Sequence, residues 1–424
     1  MKSFQLSILF AAVVLPCSSI VGFAQPMEPA LSLAKKEKPA LLETLRELVS
    51  IESGSRDYEG LSKLAALIAG RLQALGGKVE LLEPREVYKM EDTPEKIGKM
   101  VRATFTGQGS RKILLIAHMD TVYPSGMLAK QPFRVEGDRA YGLGIADDKQ
   151  GIAVILHTLA ILQAMKYRDY GALTVLVNAD EEISSPGSRS LLAKLGAEHD
   201  ATFSLEASRA ESDKISLATS GIAAITLTVK GRAAHSGQAP EKGVNALYEL
   251  AHQVLQTREF SAPAVGLKMN WTLASAGTTR NMIPPSAQAI ADVRVLRSAD
   301  YDEIENKVRE AVKKQLLPDA KVEMTFERRR PPLEASPASR ALAKHAQAIY
   351  RELGKELVVD DVPEGGGTDA AFAALHSKAP VIERLGLQGY GAHSADAEYV
   401  LLDSVEPRLY LLARLIMDVA KANR

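Results

Sequence analysis

Short apolar runs that each end in isolated acids and histidines constrain this chain more than any other feature. The run 113–117 leads into His118-Met119-Asp120, and 173–179 leads into Asp180-Glu181-Glu182. The run 201–205 ends at Glu206, and the glycine-rich stretch 141–146 precedes Asp147-Asp148-Lys149. His393 lies in a glycine-rich loop after 379–382. Near-continuous apolar runs of this length read as strands of a largely parallel sheet covered on both faces by helices. In open sheets of that kind the ligand site lies outside the carboxyl ends of the strands. Several strands would therefore deliver two imidazoles and several carboxylates to one edge. Holding such a set together without a cation is costly. A mixed histidine and carboxylate set suits zinc, and it is large enough for two ions.

At 424 residues the chain exceeds what one small core supports, so two domains are expected. A polar leader at 25–40 precedes helices over 41–49 and 61–75. Strands over 78–82, 100–106, 113–117, 173–179 and 202–205 follow, with an apolar helix over 151–165 among them. The pattern changes near Ser220. Segment 222–230 alternates apolar and polar residues, as a half-exposed strand does. Then come a helix at 244–257, strands at 268–274 and 287–296, a charged helix at 301–315 and a strand at 321–327. That order, β-α-β-β-α-β, is the ferredoxin-like split motif. Residues 328–332, Arg-Arg-Arg-Pro-Pro, read as a return linker. Helices over 338–353 and 401–422 and a strand at 381–384 complete the first sheet. The expected fold is α/β: a mixed, largely parallel sheet domain at 25–219 and 331–424, interrupted by an inserted ferredoxin-like α+β domain at 220–330.

Lys+Arg and Asp+Glu are equal at 52 each. That balance argues against a general nucleic-acid or anionic-membrane binder, whose footprint is a basic excess. Residues 1–24 read as a secretory signal: Lys2, an apolar core at 6–14, and small residues Gly22 and Ala24 at the cleavage positions. An uncleaved anchor and a lipid-modified Cys17 are alternatives, the latter disfavoured by Pro16. Without its signal the chain would be periplasmic or secreted, with no stable membrane association. It would also lack its one cysteine, which removes disulfides, thiolate ligands and cysteine nucleophiles.

Each site residue has an ordinary explanation too. A loop histidine such as His118 is usually a surface residue, although Asp120 two positions on is placed to fix its tautomer. Asp147-Asp148 suit a helix N-cap, and Glu181-Glu182 suit a helix start. Glu206 and His393 mean little alone. His157 reads as a packed core residue, while His199, His252, His345 and His376 have no matching acids. His235, in a small-residue loop of the inserted segment, reads as a turn residue or a functional one. The specificity lies in the shared structural position of the set.

Longer motifs settle on a resemblance. His118-Met119-Asp120-Thr121-Val122, Gly144-Ile145-Ala146-Asp147-Asp148-Lys149, Asp180-Glu181-Glu182 and Gly365-Gly366-Gly367-Thr368-Asp369-Ala370 resemble the signatures of a dizinc amidohydrolase family. That family comprises acetylornithine deacetylase, succinyl-diaminopimelate desuccinylase, aminoacylases and folate-hydrolysing glutamate carboxypeptidase, the last being most similar. The resemblance implies two zinc ions bridged by Asp147, with His118 and Glu206 on one and Glu182 and His393 on the other. It implies Glu181 as general base and Asp120 as the residue orienting His118. It further implies that His235 and Asn281 contact the transition state, that Arg294 clamps the substrate carboxylate, and that Gly366 and Gly367 offer backbone amides. The Asp147–Asp148 peptide is expected to be cis. The inserted domain is expected to serve as a dimerisation and lid domain of a homodimer, with His235 reaching the neighbouring subunit's site. Gln150 departs from the family's usual glycine. Arg294 could instead form a structural salt bridge with Asp292. Lys214 is the candidate for a substrate side-chain carboxylate, or else a solvated lysine. The implied activity is release of a C-terminal amino acid, foremost glutamate, from a peptide or N-acyl substrate. The alternatives are an N-acyl-amino-acid deacylase and a non-catalytic periplasmic binding protein.

Overall fold

The computed structural model describes residues 25–394 and 396–422; the signal expected at 1–24 lies outside the described residues. A six-stranded sheet runs in the order Lys78–Leu82, Met100–Thr106, Ala172–Asn178, Lys112–His118, Ala201–Ser204, Val381–Ile382. The first two pairings are antiparallel and the other three parallel. The central strand Lys112–His118 explains its own sequence. Ile113, Leu115 and Ala117 face a core shared with helices Ala30–Val49, Gln150–Ala164 and Val405–Lys421. Leu114 and Ile116 face a second core with Leu192, Leu195 and Phe372. Because both faces are covered, the strand carries a continuous apolar run rather than an alternating one.

The expected polar leader is a correction. Residues from Ala30 onward are already helical, within Ala30–Val49. Ala30, Ala34, Leu41, Leu45 and Leu48 are buried along it, while Lys35 and Lys36 stay in solvent. Alanine marks the buried stripe too weakly for the pattern to stand out in sequence.

Segment 221–330 forms its own antiparallel sheet, in the order Lys268–Ala276, Ser286–Val295, Gly221–Lys230, Lys321–Arg330. Helices Ala246–Thr257 and Ala299–Ala311 cover one face, against Ala223, Ile225, Leu227, Val229, Val293 and Val295. Asn245 starts the first of these helices by accepting hydrogen bonds from the amides of Leu247 and Tyr248. Residues of opposite parity, including Ile222, Ala224, Ile290, Asp292 and Arg294, are half-buried. The last strand runs three residues beyond its expected end, so Arg328, Arg329 and Arg330 are strand residues and not a linker. Pro331, which cannot donate to the ladder, follows its end. Among the described residues, no helix is long and apolar enough to cross a membrane.

Candidate metal centre

The carboxyl ends of three strands of the six-stranded sheet place His118, Glu182 and Glu206. The loops after Arg139–Tyr141 and Gln388–Tyr390, strands of a separate five-stranded sheet, bring Asp147 and His393 to them. His118 Nε2 lies 2.9 Å from Asp147 Oδ1 and 3.5 Å from Glu206 Oε1. His393 Nε2 lies 3.2 Å from Asp147 Oδ2 and 3.1 Å from Glu182 Oε2. Two groups of donors result, His118/Asp147/Glu206 and Asp147/Glu182/His393, each with its atoms within 4.8 Å of one another. Asp147 belongs to both and turns a different oxygen to each histidine.

Buried hydrogen bonds fix the loops. The Asp147–Asp148 peptide is cis. The alternative of an Asp N-cap is not realised: Lys149 occupies the cap of Gln150–Ala164, with no side-chain bond. Asp148 instead accepts from Gln150 Nε2 at 2.7 Å. Gln150 also donates to the Leu205 carbonyl at 2.7 Å and accepts from the Leu387 amide at 2.5 Å, joining three loops. A Cβ on Gly386 would lie 2.3 Å from the Leu205 carbonyl and 2.4 Å from the Gln150 amide, so the packing there demands glycine. Glu398, absent from the sequence expectations, accepts from the amides of Gly144, Ala146 and Asp147 at 2.9, 2.8 and 3.1 Å. Asp120 accepts from the amides of Glu181 and Glu182 at 3.0 and 3.1 Å. The His118 ring nitrogen Nδ1 meets the Asp120 backbone carbonyl at 3.0 Å and its carboxylate at 3.4 Å. Asp120 thus ties the strand carrying His118 to the turn carrying both glutamates.

The electrostatics show what this set needs. Burial, then the negative Asp147, pushes Glu182 up to about 7. Burial opposes protonation of His118, but its contacts with Asp120, Asp147 and Glu206 prevail and hold it well above the usual imidazole value. Hydrogen bonds to Asp147 and Glu182 raise His393 to about 11. Protons on the imidazoles therefore balance the carboxylates, the work two cations would do. The nitrogen and oxygen donors, in two groups sharing one carboxylate, fit a pair of divalent ions of the zinc type.

Glu181 is buried beside both groups. Burial drives its carboxyl well above the ordinary range, opposed by the charge of Arg330. Arg330 Nη1 lies 2.7 Å from Glu181 Oε1 and 3.1 Å from Asp369 Oδ1, and Nη2 donates to the Glu181 carbonyl at 2.7 Å. Asp369 also accepts from Asn178 at 2.6 Å and from Ser185. Sequence reasoning missed Arg330 by assigning it to a linker. The apolar alternation ends at Phe326, so the only signal was that no strand-breaking residue intervenes before Pro331.

The other expected residues divide. Gly366 and Gly367 line cavities beside the cluster, and Arg294 lines one of them. Arg294 is held there by Asp292 at 2.9 Å and the Gly365 carbonyl at 3.2 Å, so the structural salt bridge is present. Lys214 is not the solvated lysine of its alternative reading, and it lines neither cavity. It is buried, and its ammonium is paired with Asp360 at 2.7 Å and with Glu364. Arg209 and Arg384 line the cavity instead. His235 and Asn281 are exposed on the inserted unit and line neither cavity. His157 is buried as expected, but against Glu37 at 2.6 Å, and His345 does have an acid, Asp418 at 2.8 Å.

Known proteins agree with this architecture. The chain is 44% identical over 411 residues to carboxypeptidase G2 of Pseudomonas sp. (strain RS-16), covering 96% of this chain and 97% of that protein. It is 29% identical over 304 residues to acetylornithine deacetylase of Shigella sonnei, covering 66% of this chain and 73% of that protein. A Bacillus subtilis dinuclear metal-binding peptidase of the M20 family superimposes with a TM-score of 0.64 at 17% identity, covering 92% of this chain and 99% of that one. The pattern of Peptidase family M20/M25/M40 matches residues 114–418. With strand ends, shared aspartate and family pattern in agreement, the chain belongs to peptidase family M20/M25/M40.

Proposed function

We propose that this protein is a dizinc carboxypeptidase that hydrolyses an amide bond and releases a C-terminal amino acid, foremost glutamate. The observation that carries the reading is the pair of donor groups sharing Asp147, with Glu181 buried against them. His118 and Glu206 would hold one zinc, Glu182 and His393 the other, and Asp147 both. Bound zinc supplies a Lewis acid for the scissile carbonyl and lowers the pKa of water toward about 7.

The protein's own groups do the rest. Glu181 takes the proton of the attacking water and returns it to the leaving nitrogen. A carboxyl raised by burial suits both transfers better than an ordinary one. Arg330 fixes one oxygen of Glu181, so the base has a single orientation. Arg294 would receive the α-carboxylate through a bidentate pair after exchanging it for Asp292. Gly366 and Gly367 let the substrate approach their backbone amides. His235 would donate to the oxyanion, assisted by Asn281, from the second subunit of a homodimer. The exposed edge strand Lys268–Ala276, with Leu273 in solvent, and the exposed Leu247, Tyr248 and Leu255 of Ala246–Thr257 support such a dimer. The expected signal makes the mature enzyme periplasmic or secreted.

Replacing Glu181 with Gln keeps shape and ligands but removes the base. Turnover should fall by ~10²–10⁴-fold, with two metals still bound by elemental analysis. Near-normal turnover in the metal-replete variant would refute the assignment. The likeness to acetylornithine deacetylase supports a second reading, an N-acyl-amino-acid deacylase with the same chemistry. Comparing kcat/KM across folate, N-acyl glutamates and N-acetylornithine decides between them.

A further inference from the structure

Two cavities flank the acid cluster and share Glu181, Glu182, Gly366, Gly367 and His393. One lies under the half-buried face of the inserted sheet and holds Arg294, Arg329 and Arg330. The other holds Arg209 and Arg384. Nearly every cation around them already has a carboxylate. Arg294 has Asp292, Arg329 has Asp92 and Glu327, and Arg330 has Glu181 and Asp369. Arg209 has Glu364. Arg384 differs: its charge acts on the buried Glu383 beside it, but it forms no ion pair within 4 Å among the described residues, and its guanidinium makes a single hydrogen bond, from Nη1 to the Ala207 carbonyl at 2.9 Å. A guanidinium carries five N–H donors, so most of its capacity is unused.

The backbone of Arg384 is also unusual. Its φ is +64°, a conformation that residues with a side chain seldom adopt. The surroundings impose it from both sides. Arg408, fully buried, donates to the Arg384 carbonyl at 2.9 Å. The next two amides, of Leu385 and Gly386, donate to the carbonyls of Ser204 and Glu206 at 3.1 and 3.0 Å. Three other residues with positive φ and a side chain, Ser184, Ser185 and His393, also sit at this site. Such outliers persist where surrounding contacts over-determine them, and they cluster at ligand sites.

We propose that Arg384 binds a second carboxylate of the substrate, in the cavity opposite the one that holds Arg294. The proposal rests on the hydrolase reading above. It moves recognition of an acidic substrate from Lys214, which Asp360 and Glu364 neutralise, to a guanidinium with free donors. A planar fork matches a carboxylate through two parallel hydrogen bonds. The carboxylate can come from the side chain of the released amino acid or from the acyl group.

The test compares kcat/KM for N-acetyl-L-alanine, N-acetyl-L-glutamate and N-succinyl-L-alanine in metal-replete wild type, Arg384→Gln and Arg384→Gly. The glycine variant relaxes the backbone, so its folding is safe where that of the glutamine variant is strained. Wild type should favour one dicarboxylic substrate over N-acetyl-L-alanine by about tenfold or more, the worth of one charged hydrogen bond. Both variants should lose that preference, mainly through KM, while N-acetyl-L-alanine changes little. Loss on the glutamate arm assigns Arg384 to the side chain; loss on the succinyl arm assigns it to the acyl group. A preference that survives in both variants overturns the proposal, as does a wild type with no acidic preference. Calorimetric titration with glutarate reads the same contact without turnover. Affinity about tenfold weaker in Arg384→Gly supports it, and equal or undetectable binding in both proteins refutes it even if the hydrolase reading itself fails.

Discussion

Strands Lys112–His118 and Gly221–Lys230 come from one chain but obey different rules. The first is buried at every position after Lys112, between two helical layers. The second alternates buried and half-buried residues along its length. A fully covered strand has no face to offer a ligand, so the only place for chemistry is its end, where His118 stands. A strand covered on one side offers its other face, and Ile222, Ala224, Ile290, Asp292 and Arg294 of the inserted sheet form a wall of the cavity beside the cluster. The main sheet thus supplies His118, Glu182 and Glu206 at strand ends, loops of a separate five-stranded sheet add Asp147 and His393, and the inserted sheet supplies a surface.

The comparison breaks if altering that surface costs as much chemistry as altering a strand end. The largest effect belongs to Asp147, the one donor common to both groups among the described residues. Asp147→Asn should reduce bound metal from two ions per chain to one or none. Turnover should fall by more than the ~10–100-fold that loss of an outer hydrogen-bond partner costs. Retention of two ions by elemental analysis would show that the donors are not shared as proposed.

Arg330 is where the two regions meet, since it ends a strand of the inserted sheet and reaches Glu181 and Asp369. Arg330→Met leaves two buried carboxylates without their cation. Breaking a buried pair from one side typically costs about 3–5 kcal/mol, read as a lowered denaturation midpoint. Its neighbour Arg329 pairs with Asp92, which is half exposed, and with Glu327, so Arg329→Ala should cost clearly less than the Arg330 change. Equal losses for the two would mean that burial of the Arg330 pair carries no weight.

A third pair of substitutions tests the two faces of the inserted sheet. Ile225, fully buried against the helices, should cost about 2–5 kcal/mol when changed to Ala, with little effect on KM beyond lost folded protein. Ile290, on the cavity face, should cost less stability and act chiefly on KM. The opposite pattern would reverse the assignment of the faces.

What the sequence disclosed follows the same division. His118, Glu182 and Glu206 were legible because each follows a run whose apolar character marks it as a strand, and Asp147 and His393 through the glycine-rich motifs around them. The order of runs disclosed the six-stranded and four-stranded sheets but not the other two. Groups that act through distant partners were not. Arg330 meets Glu181 across 149 positions, and Glu398 meets the amide of Asp147 across 251. Lys214 meets Glu364 across 150 positions, so nothing near Lys214 announces that it is neutralised. Arg384 was invisible for another reason. Its significance lies in a left-handed backbone and a missing partner, and no local pattern encodes either.

The smallest effect concerns His235, which puts the two regions on different chains. It is exposed and its Nδ1 accepts from the amides of Gly237 and Gln238, at 3.1 and 3.2 Å, within its own loop. Its ring therefore has a fixed place on the inserted unit, yet it lines neither cavity beside its own chain's cluster. If it serves the other subunit, the His235→Ala and Glu181→Ala chains are each inactive alone for different reasons. In a mixed dimer one site combines Glu181 from the first chain with His235 from the second, and it is complete. Random pairing makes half the dimers mixed, and each has one working site of two, so about a quarter of wild-type activity should return. Unmixed controls at the same total concentration set the baseline. No recovery after subunit exchange, with exchange itself verified by a tag on one chain, would place His235 in its own chain's reaction and make the inserted unit a lid that closes over the site from above.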